Sequence, residues 1–176
     1  MKQMIKRVLV VFGIVLALFL IQTAILPRIP YLVSVPNLML IATFAFGFLR
    51  GRVEGMIVGV LSGLLMDVFH GGVIGFYTLI FLYIGYMNGI LAKYLVSDVI
   101  LLPMGLCLIN EIFYSGYVYV FGFLIRNRVD FGSYFHSVIM PEFLLTVLAT
   151  VIVYGLILLI NRWLERDEKK GATKFA

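Results

Sequence analysis

The chain has 176 residues, of which 62% are hydrophobic and 13% charged, and its formal net charge is +5. A soluble domain would carry about 25% charged residues, so the composition excludes an ordinary water-soluble fold and predicts an integral membrane protein. In a soluble protein the basic excess would suggest a nucleic-acid partner. In a membrane protein it predicts cytoplasmic loops that face anionic lipids, and no nucleic-acid partner is expected.

Six apolar stretches approach or reach the length of about 17 to 25 residues that a membrane-spanning helix requires. In chain order they cover residues 8–26, 32–49, 53–69, 75–92, 99–124 and 137–160. The second and third stretches are short and are expected to sit upright or to thin the bilayer locally. Residues 1–176 are therefore predicted to form one polytopic, all-α membrane domain with six transmembrane helices.

The first stretch follows Lys2, Lys6 and Arg7 and therefore resembles a signal peptide. It is about 19 residues long, which is long for the apolar part of such a signal, and no clear cleavage site follows it. We interpret it as an uncleaved first helix. The alternative, cleavage near Ala24, would leave an odd number of spans.

The basic residues predict which side of the membrane each loop occupies. Six spans place both termini on one side, which then holds 11 of the 14 lysines and arginines. The three on the other side are Arg28, Arg126 and Arg128. Lysine and arginine are enriched in cytoplasmic loops, so both termini are predicted to be cytoplasmic. Arg50 and Arg52, in the turn after the second stretch, are expected to contact lipid headgroups or cytosolic partners.

Glycines recur at every fourth position of the third stretch, and the next step of four reaches Asp67. A repeat of four advances about 400° on an α-helix, so these glycines line one side of it. Small residues form the contact faces of membrane helices, and the fourth stretch also carries a spaced pair. The glycines are predicted to pack helices together, within the chain or against a partner. They are Gly51, Gly55, Gly59 and Gly63, and then Gly85 and Gly89.

Polar side chains inside these stretches are few, and such groups in lipid are usually paired or functional. The candidates are Asn37, Asp67, Asn110, Glu111 and Glu142. From the helical rise, Asn37, Asp67 and Glu111 each lie about 20 Å from the inner charges and are predicted to form one buried polar layer. Three explanations stay open. Asp67 and Asn37 could bond to each other and to the Gly71–Gly72 turn; the layer could conduct protons or ions; or it could bind an external solute.

Catalytic and metal-binding patterns are absent from the sequence. It contains no H-E-x-x-H, G-x-S-x-G or Walker loop, and its cysteine, Cys107, has no second cysteine to pair with. The two histidines, His70 and His136, fall in predicted outer loops. Asp67 has no aspartate in another span, as an intramembrane aspartyl protease would require. We therefore expect no enzymatic activity, no cofactor and no metal site.

Residues 35–79 carry a more specific pattern. A Pro-Asn pair opens an early helix, a short basic turn follows, and then G-x-x-x-G-L-x-x-D precedes a further glycine. These residues are Pro36, Asn37, Arg50, Arg52, Gly59, Gly63, Asp67 and Gly75. The pattern resembles that of the MreD family of rod shape-determining proteins, and length and hydropathy fit over the whole chain.

The resemblance implies a non-enzymatic scaffold of the elongasome, in the bacterial cytoplasmic (inner) membrane. Such a scaffold organises peptidoglycan synthesis and maintains rod cell shape. It implies the bitopic protein MreC as a partner, together with the actin-like MreB, the glycosyltransferase RodA and a class B penicillin-binding protein.

The family is also similar in fold to the six-helix substrate-binding subunits of energy-coupling-factor vitamin transporters. The alternative function is therefore a vitamin-binding membrane subunit of such a transporter. A binder should offer a sizeable outer pocket with convergent polar groups. A scaffold should instead show a filled polar core and an exposed groove of small residues.

Overall fold

The computed structural model describes residues 2–30, 34–71, 73–94, 101–124 and 139–172, and every regular element in these ranges is helical. The predicted all-α class is therefore confirmed. The six α-helices are α1 (Lys2–Leu20), α2 (Leu38–Arg50), α3 (Arg52–His70), α4 (Phe76–Leu91), α5 (Leu101–Val118) and α6 (Met140–Ala172). A π-helix (Ile21–Ile25) and a 3-10 turn (Leu26–Arg28) extend α1, and a π-helix (Tyr119–Leu124) extends α5.

Four helical segments among the described residues are long and apolar enough to cross a membrane: Ile5–Arg28, Arg52–His70, Leu102–Gly122 and Met140–Arg166. The apolar helices α2 and α4 have 13 and 16 residues, lengths of about 20 and 24 Å. The short helices are thus the second and fourth, and the expectation that the third would be short is wrong. α3 runs for 19 residues because it begins at the basic turn itself. The chain is a multi-pass membrane protein; six spans and cytoplasmic termini stay predictions.

α2 lies at the centre of the bundle and contacts the other five α-helices. Its residues 38–48 are all buried, as is typical of a helix that is apolar on all sides. α3 and α4 form the most extensive helix pair and both pack on α2. On the outer helices, large apolar side chains such as Phe113 and Leu148 stay about two-thirds exposed, as lipid contact requires.

The beginning of α1 and the C-terminal part of α6 meet at one end of the bundle. Lys6 places its Nζ 4.6 Å from the centre of the Trp163 ring, and the Arg50 guanidinium donates a hydrogen bond to Asn161. We call this the Arg50 end, and the opposite end the Asp67 end. The clustering of basic residues at the Arg50 end is the arrangement that cytoplasmic termini would require.

Candidate functional site

The Asp67 carboxylate lies in the last turn of α3 and binds the first turn of α4. Its Oδ2 accepts hydrogen bonds from Gly75 N–H (2.8 Å), Thr78 N–H (3.2 Å) and the Thr78 hydroxyl (2.6 Å), and its Oδ1 accepts one from Tyr77 N–H (2.7 Å). The first N–H groups of a helix have no partner within it, and the helix dipole favours a negative charge there. Asp67 is therefore a cap for α4 that a neighbouring helix supplies.

The glycines of α3 set the distance at which this cap works. A methyl group at Gly59 would meet the Phe81 carbonyl, and one at Gly63 would meet the backbone of Thr78. Only hydrogen fits at these positions, so the two backbones touch. Asp67 lies one turn beyond Gly63 on the same side of α3, which brings its carboxylate to the start of α4. The glycine repeat ends in an acid because close approach lets that acid reach its partners.

Three glycines meet where α2, α3 and α4 converge. A Cβ built at Gly55 would lie 2.6 Å from the Cα of Gly47, and one at Gly47 would lie 2.6 Å from the carbonyl oxygen of Gly85. Farther along α4, a Cβ at Gly89 would meet the backbone of Arg52. The glycine faces of α3 and α4 are thus occupied by helices of this chain.

Two glycines depart from the sequence prediction: Gly51 has a different role, and Gly47 makes a contact that was not predicted. Nothing lies within 4 Å of a Cβ built at Gly51, so the contact does not require a glycine there, although the carbonyl carbon of Gly51 would lie 2.7 Å from a Cβ built at Gly89. Gly51 forms the turn between α2 and α3 with a φ of +92°, which favours glycine. Gly47, which the sequence reading missed, is a position where the contact does require a glycine. It lies four residues before Gly51, so the same periodicity could have found it.

Gly75, the last glycine of the family-like pattern, immediately precedes α4. Its φ of +103° lies in the region that side chains disfavour. With this backbone conformation its N–H donates to Asp67. Asp67 and Gly75 lie eight residues apart. This spacing lets the chain turn between α3 and α4 and bring the N–H of Gly75 back to the Asp67 carboxylate.

Pro36 and Asn37 determine where α2 begins. The Asn37 Oδ1 accepts a hydrogen bond from Leu40 N–H at 3.1 Å, the usual role of an N-cap residue. Its backbone N–H donates to the Thr146 hydroxyl of α6 at 3.0 Å. The helix consequently starts at Leu38 rather than near residue 32. One of the three explanations for the polar layer included a hydrogen bond between Asn37 and Asp67. This bond is not formed, because Asp67 binds the start of α4 and the Nδ2 of Asn37 has no hydrogen-bond partner.

Glu111 of α5 is completely buried, and neither of its carboxylate oxygens has a hydrogen-bond partner. Its height, meaning its position along the long axis of the bundle, follows from the pairing of the antiparallel helices α5 and α6. The Thr150 hydroxyl of α6 donates a hydrogen bond to Cys107 Sγ of α5 at 3.0 Å. Because the two helices run in opposite directions, Glu111, four residues after Cys107, lies approximately level with Thr146, four residues before Thr150. Thr146 in turn accepts a hydrogen bond from the N–H of Asn37. Glu111 and Asn37 therefore share one height in the bundle.

Gln22 connects this height to that of Asp67. Its Oε1 accepts from Met39 N–H at 3.0 Å, and its Nε2 lies 4.0 Å from Met66 Sδ. Since Asp67 directly follows Met66, Gln22 joins the start of α2 to the turn of α3 that carries Asp67. That Asp67 shares the height of Asn37 and Glu111 stays a prediction. The three residues do not form one network: Asp67 caps α4, Asn37 caps α2, and Glu111 has no hydrogen-bond partner. The role of the layer stays a prediction.

Two buried asparagines join α4 to α5. Asn88 Nδ2 donates to Asn110 Oδ1 at 2.8 Å, and Asn110 Nδ2 donates back to Asn88 Oδ1 at 3.1 Å. Sequence reasoning noticed Asn110 among the buried polar residues but missed Asn88. The amide side chain of Asn88, next to Gly89 in an otherwise apolar stretch, could have indicated a second buried polar residue.

Replacing Asn88 or Asn110 by leucine is expected to destabilise the protein by about 1–2 kcal/mol, because each change leaves one buried amide without its partner. The double variant is expected to lose less than the sum of the two. A double-mutant cycle on the purified protein, with unfolding followed by circular dichroism in increasing SDS, measures the coupling. Strictly additive losses would contradict a direct contact.

Arg50 and Arg52 have different environments. Arg50 is half-buried and binds Asn161, whose Nδ2 donates to Glu165 Oε1 at 2.8 Å. Arg52 is exposed at the start of α3. Arg50 therefore joins α2 to α6. The exposed Arg52 is available for the predicted contact with lipid headgroups or cytosolic partners.

A cavity of about 550 Å³ lies at the Asp67 end, between the end of α1, the end of α3, α5 and the beginning of α6. Polar groups on its wall include Gln22, His70, Tyr77, Ser115 and Glu142. This size suits a small organic molecule. Within the described part of the chain, no group of three or more His, Cys, Asp or Glu is placed to hold a metal ion.

Comparison with known proteins gives one match. A family model described as rod shape-determining protein MreD matches residues 2–163 of the chain. The matched segment contains α1 to α5 and most of α6, with the Asp67 cap and the glycine contacts. No curated protein and no solved structure matches the chain.

Proposed function

This chain belongs to the MreD family of rod shape-determining proteins, and we propose that it acts as a non-enzymatic scaffold of the cell-elongation machinery. The resemblance noticed in residues 35–79 is confirmed and extends over residues 2–163. Family membership makes the chain a multi-pass membrane protein of rod-shape determination. The proposal adds that it resides in the bacterial cytoplasmic (inner) membrane and organises peptidoglycan synthesis there.

The family match carries this proposal, and the chemistry of the family-like motif supports it. Asn37 caps α2 and Asp67 caps α4, so both bind main-chain groups of the protein itself. Gly59 and Gly63 serve the contact of α3 with α4. Every role found for these residues concerns assembly of a rigid bundle, which is what a scaffold must provide.

The proposed partners follow from the family. They are a bitopic protein of the MreC type, and with it MreB, RodA and a class B penicillin-binding protein. The internal glycine face is occupied, so a partner's membrane helix would pack on the outer helices, where large apolar side chains are exposed. Arg52 would face anionic lipids or cytosolic partners at the Arg50 end.

Depletion of the protein in its host tests the proposal. Cells are expected to lose their rod shape and become round, and re-expression of the wild-type chain should restore rods, as microscopy would show. Affinity purification of the tagged protein from membranes should recover the MreC-type protein. Cells that stay rod-shaped after complete depletion would contradict the proposed role.

The alternative, a vitamin-binding transporter subunit, has one structural feature in its favour. The cavity at the Asp67 end has the size and convergent polar groups that such a subunit would need. The comparisons give it no support. Mass spectrometry of small molecules released from the purified protein separates the two functions, because a stoichiometric vitamin would favour the transporter subunit.

A further inference from the structure

The cavity at the Asp67 end has an aromatic wall. The rings of Phe69, His70, Tyr77 and Tyr114, all of which line it, follow one another with centroids 5.4, 5.0 and 6.4 Å apart. The faces of tyrosine and phenylalanine rings attract cations.

The same cavity has an acidic side. Glu142, in the first turn of α6, lines it, and no lysine or arginine is among the described lining residues. Glu111 lies on α5 one turn before the lining residue Ser115. Both Glu111 oxygens are buried without a hydrogen-bond partner. Such a group is costly to bury unless a proton or a cation compensates it.

We propose that this cavity binds a small organic cation with a primary ammonium group. The ammonium would pair with Glu142 and lie against the rings of Tyr77 and Tyr114, and its positive charge would favour the ionised form of the buried Glu111. Carboxylates supply charge-assisted hydrogen bonds to an ammonium group, and the rings supply the cation–π contact. A site of this composition selects positive charge, whereas a neutral or anionic solute would leave the carboxylates without compensation.

Two sources offer this chemistry: a soluble amine, or the ethanolamine headgroup of a membrane lipid. We would test the first with 1,5-diaminopentane on the full-length protein in nanodiscs. Cys107 is buried, so a thiol-reactive dye reports thermal unfolding. The diamine is expected to raise the unfolding midpoint, and the uncharged 1,5-pentanediol is not.

The variants locate the effect. Glu142→Gln is expected to weaken the apparent affinity for the diamine about tenfold, which corresponds to about 1.4 kcal/mol. Glu165→Gln is the matched control at the far end of the same helix and should bind as wild type does. Tyr77→Leu should weaken binding, whereas Tyr77→Phe, which keeps the ring, should not. This pair keeps the test decisive if Glu142→Gln fails to fold.

The lipid arm uses nanodiscs of phosphatidylglycerol with or without phosphatidylethanolamine. If the headgroup is the ligand, native mass spectrometry should show phosphatidylethanolamine retained by the wild type and lost from Glu142→Gln, and the diamine should compete with it. The proposal is overturned if neither probe binds, or if binding is equal in wild type, Glu142→Gln and Tyr77→Leu. None of these outcomes depends on cell shape, so this site and the scaffold function can fail separately.

Discussion

Replacement of Gly85 by alanine is expected to destabilise the native fold strongly. The added methyl group would meet the carbonyl of Gly55, and the carbonyl oxygen of Gly85 itself lies against Gly47 and Gly55. Overpacking a core usually costs about 1–3 kcal/mol, and here the obstacle is backbone, which cannot rotate away. We expect a loss of at least about 3 kcal/mol, measured as the midpoint of thermal unfolding with the Cys107-reactive dye.

The chain contains matched controls for this change. Nothing lies within 4 Å of a Cβ built at Gly105 in α5 or at Gly155 in α6. Alanine at either position should therefore leave the unfolding midpoint unchanged or raise it slightly, since alanine has the better helix propensity. The account of the three-helix contact would be refuted by a Gly85→Ala protein as stable as Gly155→Ala.

Replacement of Asp67 by alanine is expected to have the second large effect. It leaves the N–H groups of Gly75, Tyr77 and Thr78 without their acceptor. An unsatisfied buried donor costs about 1–3 kcal/mol, and since these three are partly buried, a loss at the low end for each gives about 3 kcal/mol in total. Asp67→Asn should be nearly as damaging, because its amide NH₂ would face other donors. The same dye assay measures both variants.

A smaller change at the same site provides the control. Thr78→Val removes the hydroxyl donor but leaves three backbone donors on the carboxylate, so it should cost only about 1 kcal/mol. In a depletion strain, Thr78→Val should restore rods and Asp67→Ala should not. Rescue to rod shape by Asp67→Ala at normal protein levels would show that the cap is dispensable.

The sequence indicated the helices and much of the contact between α3 and α4, because both depend on short-range periodicity. Hydropathy identifies apolar stretches, and a repeat of four places Gly55, Gly59, Gly63 and Asp67 on one side of a helix. Which donors Asp67 would find depends on how far α4 is shifted along α3. That shift is fixed by the turn through Gly75, which periodicity does not describe.

Other features depend on contacts between distant parts of the chain and were therefore out of reach. The N-cap role of Asn37 could have been predicted from the Pro-Asn pair, but its bond to Thr146 spans 109 residues. The isolation of Glu111 depends on how α5, α2 and α6 fit together. The cavity is lined by residues from five helices, so no local pattern predicts its lining.

The Asp67 cap has a consequence for biogenesis. Its partners lie only 8 to 11 residues away, so α3 and α4 can associate as soon as both have left the ribosome. By contrast, the partners that α6 gives to Asn37 and Arg50 are more than 100 residues away and arrive last. A nascent chain that stops before α6 would already hold its hairpin, yet would display an incompletely bonded α2. Such an intermediate is recognisable to membrane chaperones and proteases, which would couple completion of synthesis to survival of the protein.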